Sequence, residues 1–200
     1  MKTRIDPHLH TRYSGDSIIS PKLIVEQLHA HPFIKAVAIT DHNTLQGYME
    51  VRKLASSYQD ITIISGIEVS THQGDIILLG VEEKPSYAST VWEVVDFAKA
   101  RAATIVIPHP YRIKGIGDLA EKIPADAIEV INPTATLREN KMAQELAKVK
   151  NLPGIAGSDA HAPLHMWTAY TEVNADLDID EILKAIKKGW VKPVLADAMI

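Results

Sequence analysis

The sequence predicts a parallel α/β fold closed into a barrel, and three observations carry that prediction. Apolar runs of strand length alternate along the chain with amphipathic stretches of helix length. Several of these runs, such as Ala36-Val37-Ala38-Ile39, are apolar at every position, as expected of a strand covered on both faces in a parallel sheet. Short polar clusters follow at least five different strands. An open sheet gathers its ligands at one switch point, whereas a barrel brings every strand end to one mouth.

The elements follow in order. Residues 3–8 read as a strand, and Ser20-Pro21 then starts a helix over 21–31, because the hydroxyl caps free amides and proline suits a first turn. After the strand 36–40, a helix reaches to about residue 58. The strand 61–70 turns at Gly74 into 75–79 as a hairpin. Residues 87–100 have helical spacing through Val91, Val94, Val95 and Ala98, and the strand 104–107 ends in Pro108-His109. A short helix at 118–122, a strand at 127–131, a helix at 138–149 and a strand at 153–156 come next. A strand over 167–173 and a helix over 180–188 complete the pattern, and 191–200 is only weakly patterned.

The 200 residues, 46% hydrophobic and 23% charged, suffice for one compact soluble domain spanning 1–200. A net charge of −4 and a pI near 6.1 give no basic footprint for a long nucleic-acid duplex. With no cysteine, disulfide and thiolate chemistry are excluded, and any metal must be held by imidazole and carboxylate. No apolar signal region follows Met1 and no stretch approaches the ~20 apolar residues of a membrane span. The expectation is a cytoplasmic protein without membrane contact.

His8 and His10 lie one residue apart on a strand end, so their imidazoles share a face and can hold one ion. Later strand ends carry Asp41-His42, Glu68, His109 and Asp159-Ala160-His161, and Asp16 sits in the loop after the first. Such a mixture of nitrogen and oxygen donors suits Zn2+, Mn2+ or Fe2+ better than the all-oxygen shells of Mg2+ or Ca2+. It also exceeds what one catalytic ion needs. Glu68 would be costly to bury without a partner. Asp41 fits a role behind the ligands, capping the next helix or orienting an imidazole. Arg12, Arg112 and Lys114 lie in loops beside these clusters and have the chemistry of a phosphate clamp. Asn132 would contact substrate or hold a strand end. His29, His31 and His165 read as structural or exposed, and the mixed charges of 138–150 read as a solvated face.

Taken together and in this order, His8-Leu9-His10-Thr11, Asp16, Thr40-Asp41-His42, Gly66-Ile67-Glu68-Val69-Ser70, His109-Pro110, Glu129-Val130 with Asn132, and Gly157-Ser158-Asp159-Ala160-His161 resemble one family. It is the PHP (polymerase and histidinol phosphatase) superfamily of metal-dependent phosphoesterases. The resemblance covers essentially the whole chain. It implies a distorted (β/α)7 TIM-like barrel with three divalent metals at its mouth. His8, His10, Glu68 and Asp159 would hold the first, with Glu68 bridging to a second, and Asp16, His42, His109 and His161 would serve the others. Asp41 and Arg112 would support them. The chain departs from the family pattern after Gly74, where Asp75 stands in place of a histidine; Asp75 can itself bind a metal, and His72 is a nearby substitute.

The implied activity is hydrolysis of a small phosphate ester, of nucleotide or sugar-phosphate type, by a hydroxide bridging the metals. An oligonucleotide end would also fit an open mouth. Two alternatives stand beside it: a metal-stabilised interaction domain without catalysis, and a metal-dependent amidohydrolase.

Overall fold

The computed structural model describes residues 2–86 and 89–196. Its strands are β1 (Thr3–Leu9), β2 (Ala36–Ile39), β3 (Thr62–Thr71), β4 (Gly74–Leu79), β5 (Thr104–Ile107), β6 (Ala127–Ile131), β7 (Gly154–Ala156), β8 (Ala169–Val173) and β9 (Val191–Leu195). They form one sheet in the order β7-β6-β5-β4-β3-β2-β1-β8-β9. Its two edges, β7 and β9, lie against each other without hydrogen-bonded pairing, so the sheet curls into a nearly closed barrel.

The barrel is less regular than a purely parallel one. β1, β2 and β3 run parallel, as do β5, β6 and β7. Between them β4 is antiparallel to both neighbours, as the hairpin at Gly74 requires, and β8 and β9 are antiparallel additions beside β1. β9 falls in the stretch that sequence patterning left unassigned; residues 197–200 of that stretch lie outside the described residues.

Of the helices α1 (Pro21–Ala30), α2 (Gln46–Ala55), α3 (Val91–Ala100), α4 (Leu137–Lys150) and α5 (Ile179–Lys188), all but α2 begin where a side chain caps them. Ser20 accepts from the Leu23 N–H, and Thr90–Glu93 and Thr136–Glu139 form reciprocal capping boxes. The Thr90 cap explains why α3 starts at Val91; its expected start at Tyr87 lies outside the described residues. The helix expected at 118–122 is a single 3-10 turn, Gly117–Glu121.

Three apolar layers result. One, with Leu9, Val37, Ile39 and Ile63, is covered by α1 and α2. A second, with Ile67, Leu78, Ile105 and Val130, is covered by α3 and α4. The third fills the barrel interior: Ile5, Ala38, Ile64, Ile77, Val106 and Ile155 meet Ile182, Ala185 and Ile186 of α5. α5 therefore plugs one end of the barrel. Burying Ile182 and Ile186 completely contributes roughly 1.5–3 kcal/mol each, and the opposite end is left for polar groups. Among the described residues no helix is long and apolar enough to cross a membrane.

Candidate metal centre at the barrel mouth

The polar end begins at a break in β1. Its pairing with β2 shifts between Asp6 and Leu9, a bulge of the kind that re-aims side chains beside active sites. Past the shift, Leu9 joins the outer layer while His8 and His10 are fully buried among carboxylates. Gly157 lets the end of β7 pass beneath them, since a Cβ there would lie 2.5 Å from the His8 Cβ and 2.8 Å from Glu129 Oε1.

Four donors converge. His8 Nε2 lies 3.1 Å from His10 Nε2, 3.4 Å from Glu68 Oε2 and 3.3 Å from Asp159 Oδ1. His10 Nε2 lies 3.1 Å from Glu68 Oε2 and 3.4 Å from Asp159 Oδ1. Each imidazole nitrogen thus lies 3.1–3.4 Å from the other and from both carboxylates, close to the separation of two donors that each stand about 2.0 Å from one Zn2+. The donor set fits a divalent ion.

Two further clusters adjoin the first. Glu68 Oε1 lies 3.1 Å from His109 Nε2, and donor atoms of Glu68, His42 and Asp75 lie within 4.8 Å of one another. Asp16 Oδ2 lies 3.4 Å from His42 Nε2, and its Oδ1 lies 3.5 Å from His161 Nε2. Donor atoms of His10, His42 and His161 also share a 4.8 Å neighbourhood. All nine residues in which the sequence suggested metal donors thus meet at one mouth. His109 and Asp159 hold positive φ angles of 25° and 50°, conformations that cost non-glycine residues energy and tend to cluster at functional sites.

The electrostatics of the bare site follow from burial and charge. Burial pushes His8 and His10 down, but Asp159, Glu68 and, for His8, Glu129 together outweigh it, raising His8 well above its usual range and His10 to about 9. Burial opposes ionisation of Glu68 and Asp159 too, yet the surrounding imidazoles hold both carboxyls well below the usual range. Burial dominates at the adjoining positions, taking His42 down to about 4 and, with the Glu68 charge, Asp75 up to about 6.

Residues behind the donors were harder to foresee. Glu129 is buried, with Oε1 2.9 Å from His8 Nδ1 and Oε2 accepting from the His109 backbone N–H and from Asn132 Nδ2 at 2.9 Å each. A carboxylate on Nδ1 leaves Nε2 free for an ion. Asp159 turns its other oxygen, Oδ2, to Arg112 Nη1 at 2.6 Å, Asn132 Nδ2 at 3.2 Å and Thr134 Oγ1 at 3.1 Å. Asn132 therefore holds the donors in place. Glu129 belonged to a recognisable motif, but nothing in the sequence singled out Thr134.

Asp41 does not cap α2, whose N-cap is Leu45 without a side-chain bond. It is fully buried and takes the Thr11 N–H at 2.6 Å and the Thr11 hydroxyl at 2.7 Å. Of the three basic candidates, Arg112 and Lys114 line a mouth cavity of about 450 Å3 together with Asp16, His42, Asp75 and His161. Arg12 instead turns to Glu50 at 3.3 Å. His72 is exposed at the hairpin turn beyond β3, and His165 is exposed as well.

Residues 138–191 match the family model described as PHP-associated. The uncharacterized protein MJ1587 of Methanocaldococcus jannaschii is 32% identical over 141 residues, covering 64% of this chain and 81% of its own. The fold is shared with a Bifidobacterium adolescentis protein assigned as a metal-dependent phosphoesterase, at TM-score 0.62 and 18% identity over 78% of this chain and 87% of that one. It is shared too with the lesion-specific endonuclease PfuEndoQ of Pyrococcus furiosus, at TM-score 0.71 and 17% identity over 96% of this chain and 58% of that longer one. The chain belongs to the PHP superfamily. Its histidine and carboxylate clusters are compatible with the divalent metals of a PHP protein.

Proposed function

We propose that this PHP chain is a metal-dependent phosphoesterase hydrolysing a small phosphate ester of nucleotide or sugar-phosphate type. The observation that carries the reading is the convergence of His8, His10, Glu68 and Asp159, in which each imidazole nitrogen lies 3.1–3.4 Å from the other and from both carboxylates. These four would hold a first ion, Glu68, Asp75 and His109 a second, and Asp16, His42 and His161 a third, with Zn2+, Mn2+ or Fe2+ fitting the mixed donors. Such ions, when bound, acidify water near neutral pH and neutralise charge on phosphoryl oxygens.

The chain's own residues do the rest. Glu129 keeps the His8 Nδ1 proton away from the site, and Asn132 and Thr134 hold Asp159 from behind. Lys114 and the remaining N–H groups of Arg112 line the cavity and would bind and orient the phosphate dianion. A cavity of about 450 Å3 accommodates a nucleotide-sized ester, or the end of an oligonucleotide, better than a duplex.

The test is hydrolysis of an aryl phosphate and a nucleotide panel by protein loaded separately with Mn2+ and Zn2+, beside His10→Ala. Turnover in the loaded protein and its loss in His10→Ala, by about 10³-fold or more, is the expected result. Stoichiometric metal uptake without turnover of any phosphate ester would overturn it in favour of an amidohydrolase or a non-catalytic domain.

A further inference from the structure

We infer that Ser14 is a positioning residue whose hydroxyl fixes the working tautomer of His10 and ties His42 to it, joining two of the donor clusters through one oxygen. The inference rests on the metal-binding reading of the site, not on the identity of the substrate.

Ser14 Oγ lies 2.7 Å from His10 Nδ1 and accepts the backbone N–H of His42 at 2.9 Å. For His10 Nε2 to meet an ion alongside His8, Glu68 and Asp159, the proton must reside on Nδ1. Ser14 must then accept from Nδ1–H, which fills both lone pairs of its oxygen, one from each histidine. Its own proton is left to find a separate acceptor. The buried Asp41 carboxylate, which takes both Thr11 donors and whose ionised form the nearby Ser14 hydroxyl favours, would serve as that acceptor, since a carboxylate can only accept.

In that arrangement the hydrogen bonds would run from His10 to Ser14 to Asp41. Without Asp41, the Ser14 proton could turn back onto Nδ1 and stabilise the tautomer that blocks Nε2. Asp41 is roofed by the first turn of α2, where Gly47 is required because a Cβ would come within 2.5 Å of both Asp41 Oδ2 and Thr11 Oγ1. His10 also stacks on His161 at 4.1 Å and lies 4.7 Å from the His42 ring. A tilt of His10 therefore disturbs the neighbouring cluster through the same contacts.

The experiment measures Zn2+ affinity of metal-free protein by competition with a chromophoric chelator, for the wild type, Ser14→Ala and Ser14→Thr. Ser14→Ala should weaken the tightest Zn2+ by about 10–100-fold, and Ser14→Thr should restore it to within about threefold of the wild type. In the Zn2+-loaded wild type a hydrogen-bonded Nδ1–H resonance of His10 is expected, and in Ser14→Ala it should be lost to solvent exchange. Unchanged affinity in Ser14→Ala overturns the inference, as does Ser14→Thr binding no better than Ser14→Ala. No phosphate ester enters the assay, so a failure of the phosphoesterase reading leaves this result standing. A wild type that takes up no Zn2+ overturns both together.

Discussion

The donors around His8 and those around Asp75 share Glu68 and lie side by side, yet they are built differently. In the first set three of the four donors are held from behind: His8 by Glu129, His10 by Ser14, Asp159 by Arg112, Asn132 and Thr134. In the second, Asp75 Oδ2 and His109 Nδ1 are buried atoms with no hydrogen-bond partner among the described residues, and His42 Nδ1 has only an ion-pair contact of 3.3 Å with Glu68 Oε2. The first set is organised by hydrogen bonds within the chain, whereas the second carries buried polar atoms that the chain leaves poorly satisfied. A single carboxylate thus separates a rigid position from an adaptable one.

Cutting the support behind the rigid set should have the largest effect. Glu129→Gln removes the charge on His8 Nδ1 while keeping the side-chain shape, and the tightest Zn2+ should then bind about 10–100-fold more weakly. Equilibrium dialysis with elemental analysis measures this. Equal affinity in the variant would mean that preorganisation does not set the difference between the two sets.

Proton linkage sharpens the comparison next. In the metal-free protein His10 holds its proton up to about 9 because Asp159 and Glu68 flank it, so an ion must displace that proton. Apparent affinity should rise with pH, by at most about tenfold per unit for this one proton, and level off above about 9. The metal-free fold responds oppositely: a histidine raised from 6.5 to about 9 stabilises it fully below 6.5, and that stabilisation is lost as pH rises toward 9. Calorimetry in buffers of different ionisation enthalpy reads the released proton, and thermal melts across pH 6–9 read the fold.

The smallest expected effect falls on the adaptable set. Burial and the Glu68 charge raise Asp75 from 3.8 to about 6, so its cost to the metal-free protein builds as pH rises from about 3.8, is full above about 6, and is absent at lower pH. Asp75→Asn should raise the metal-free melting midpoint at pH 7.5 by about 2–4 °C, the shift produced by about 1 kcal/mol at this chain length. The same variant should lose one equivalent of bound Mn2+.

Most strands, the hairpin and the clustering of the nine candidate donors were legible because each is written locally, as an apolar run ending in a polar cluster. What was not legible depends on partners far along the chain. Glu129 meets His8 across 121 positions, and nothing near Ser14 or Thr134 distinguishes them from ordinary loop residues. β9 escaped because it is a half-exposed edge interrupted by Pro193, without the buried run that marked the other strands. The plug formed by α5 escaped for another reason: an amphipathic helix has the same sequence signature whether its apolar face covers a sheet or closes a barrel end. Arg12 shows that proximity in sequence does not aim a side chain, since it lies beside the ligands and faces Glu50.

The position of β1 has a bearing on biosynthesis. Thr3 of the strand that presents His8 and His10 pairs with Val173 of β8, so one side of the first of these nine strands stays bare until seven more have been made. Asp159 and the α5 plug come late as well. A growing chain therefore carries the two imidazoles long before Asp159 joins them, and an ion that needs all of these donors would find its place only once the barrel is made.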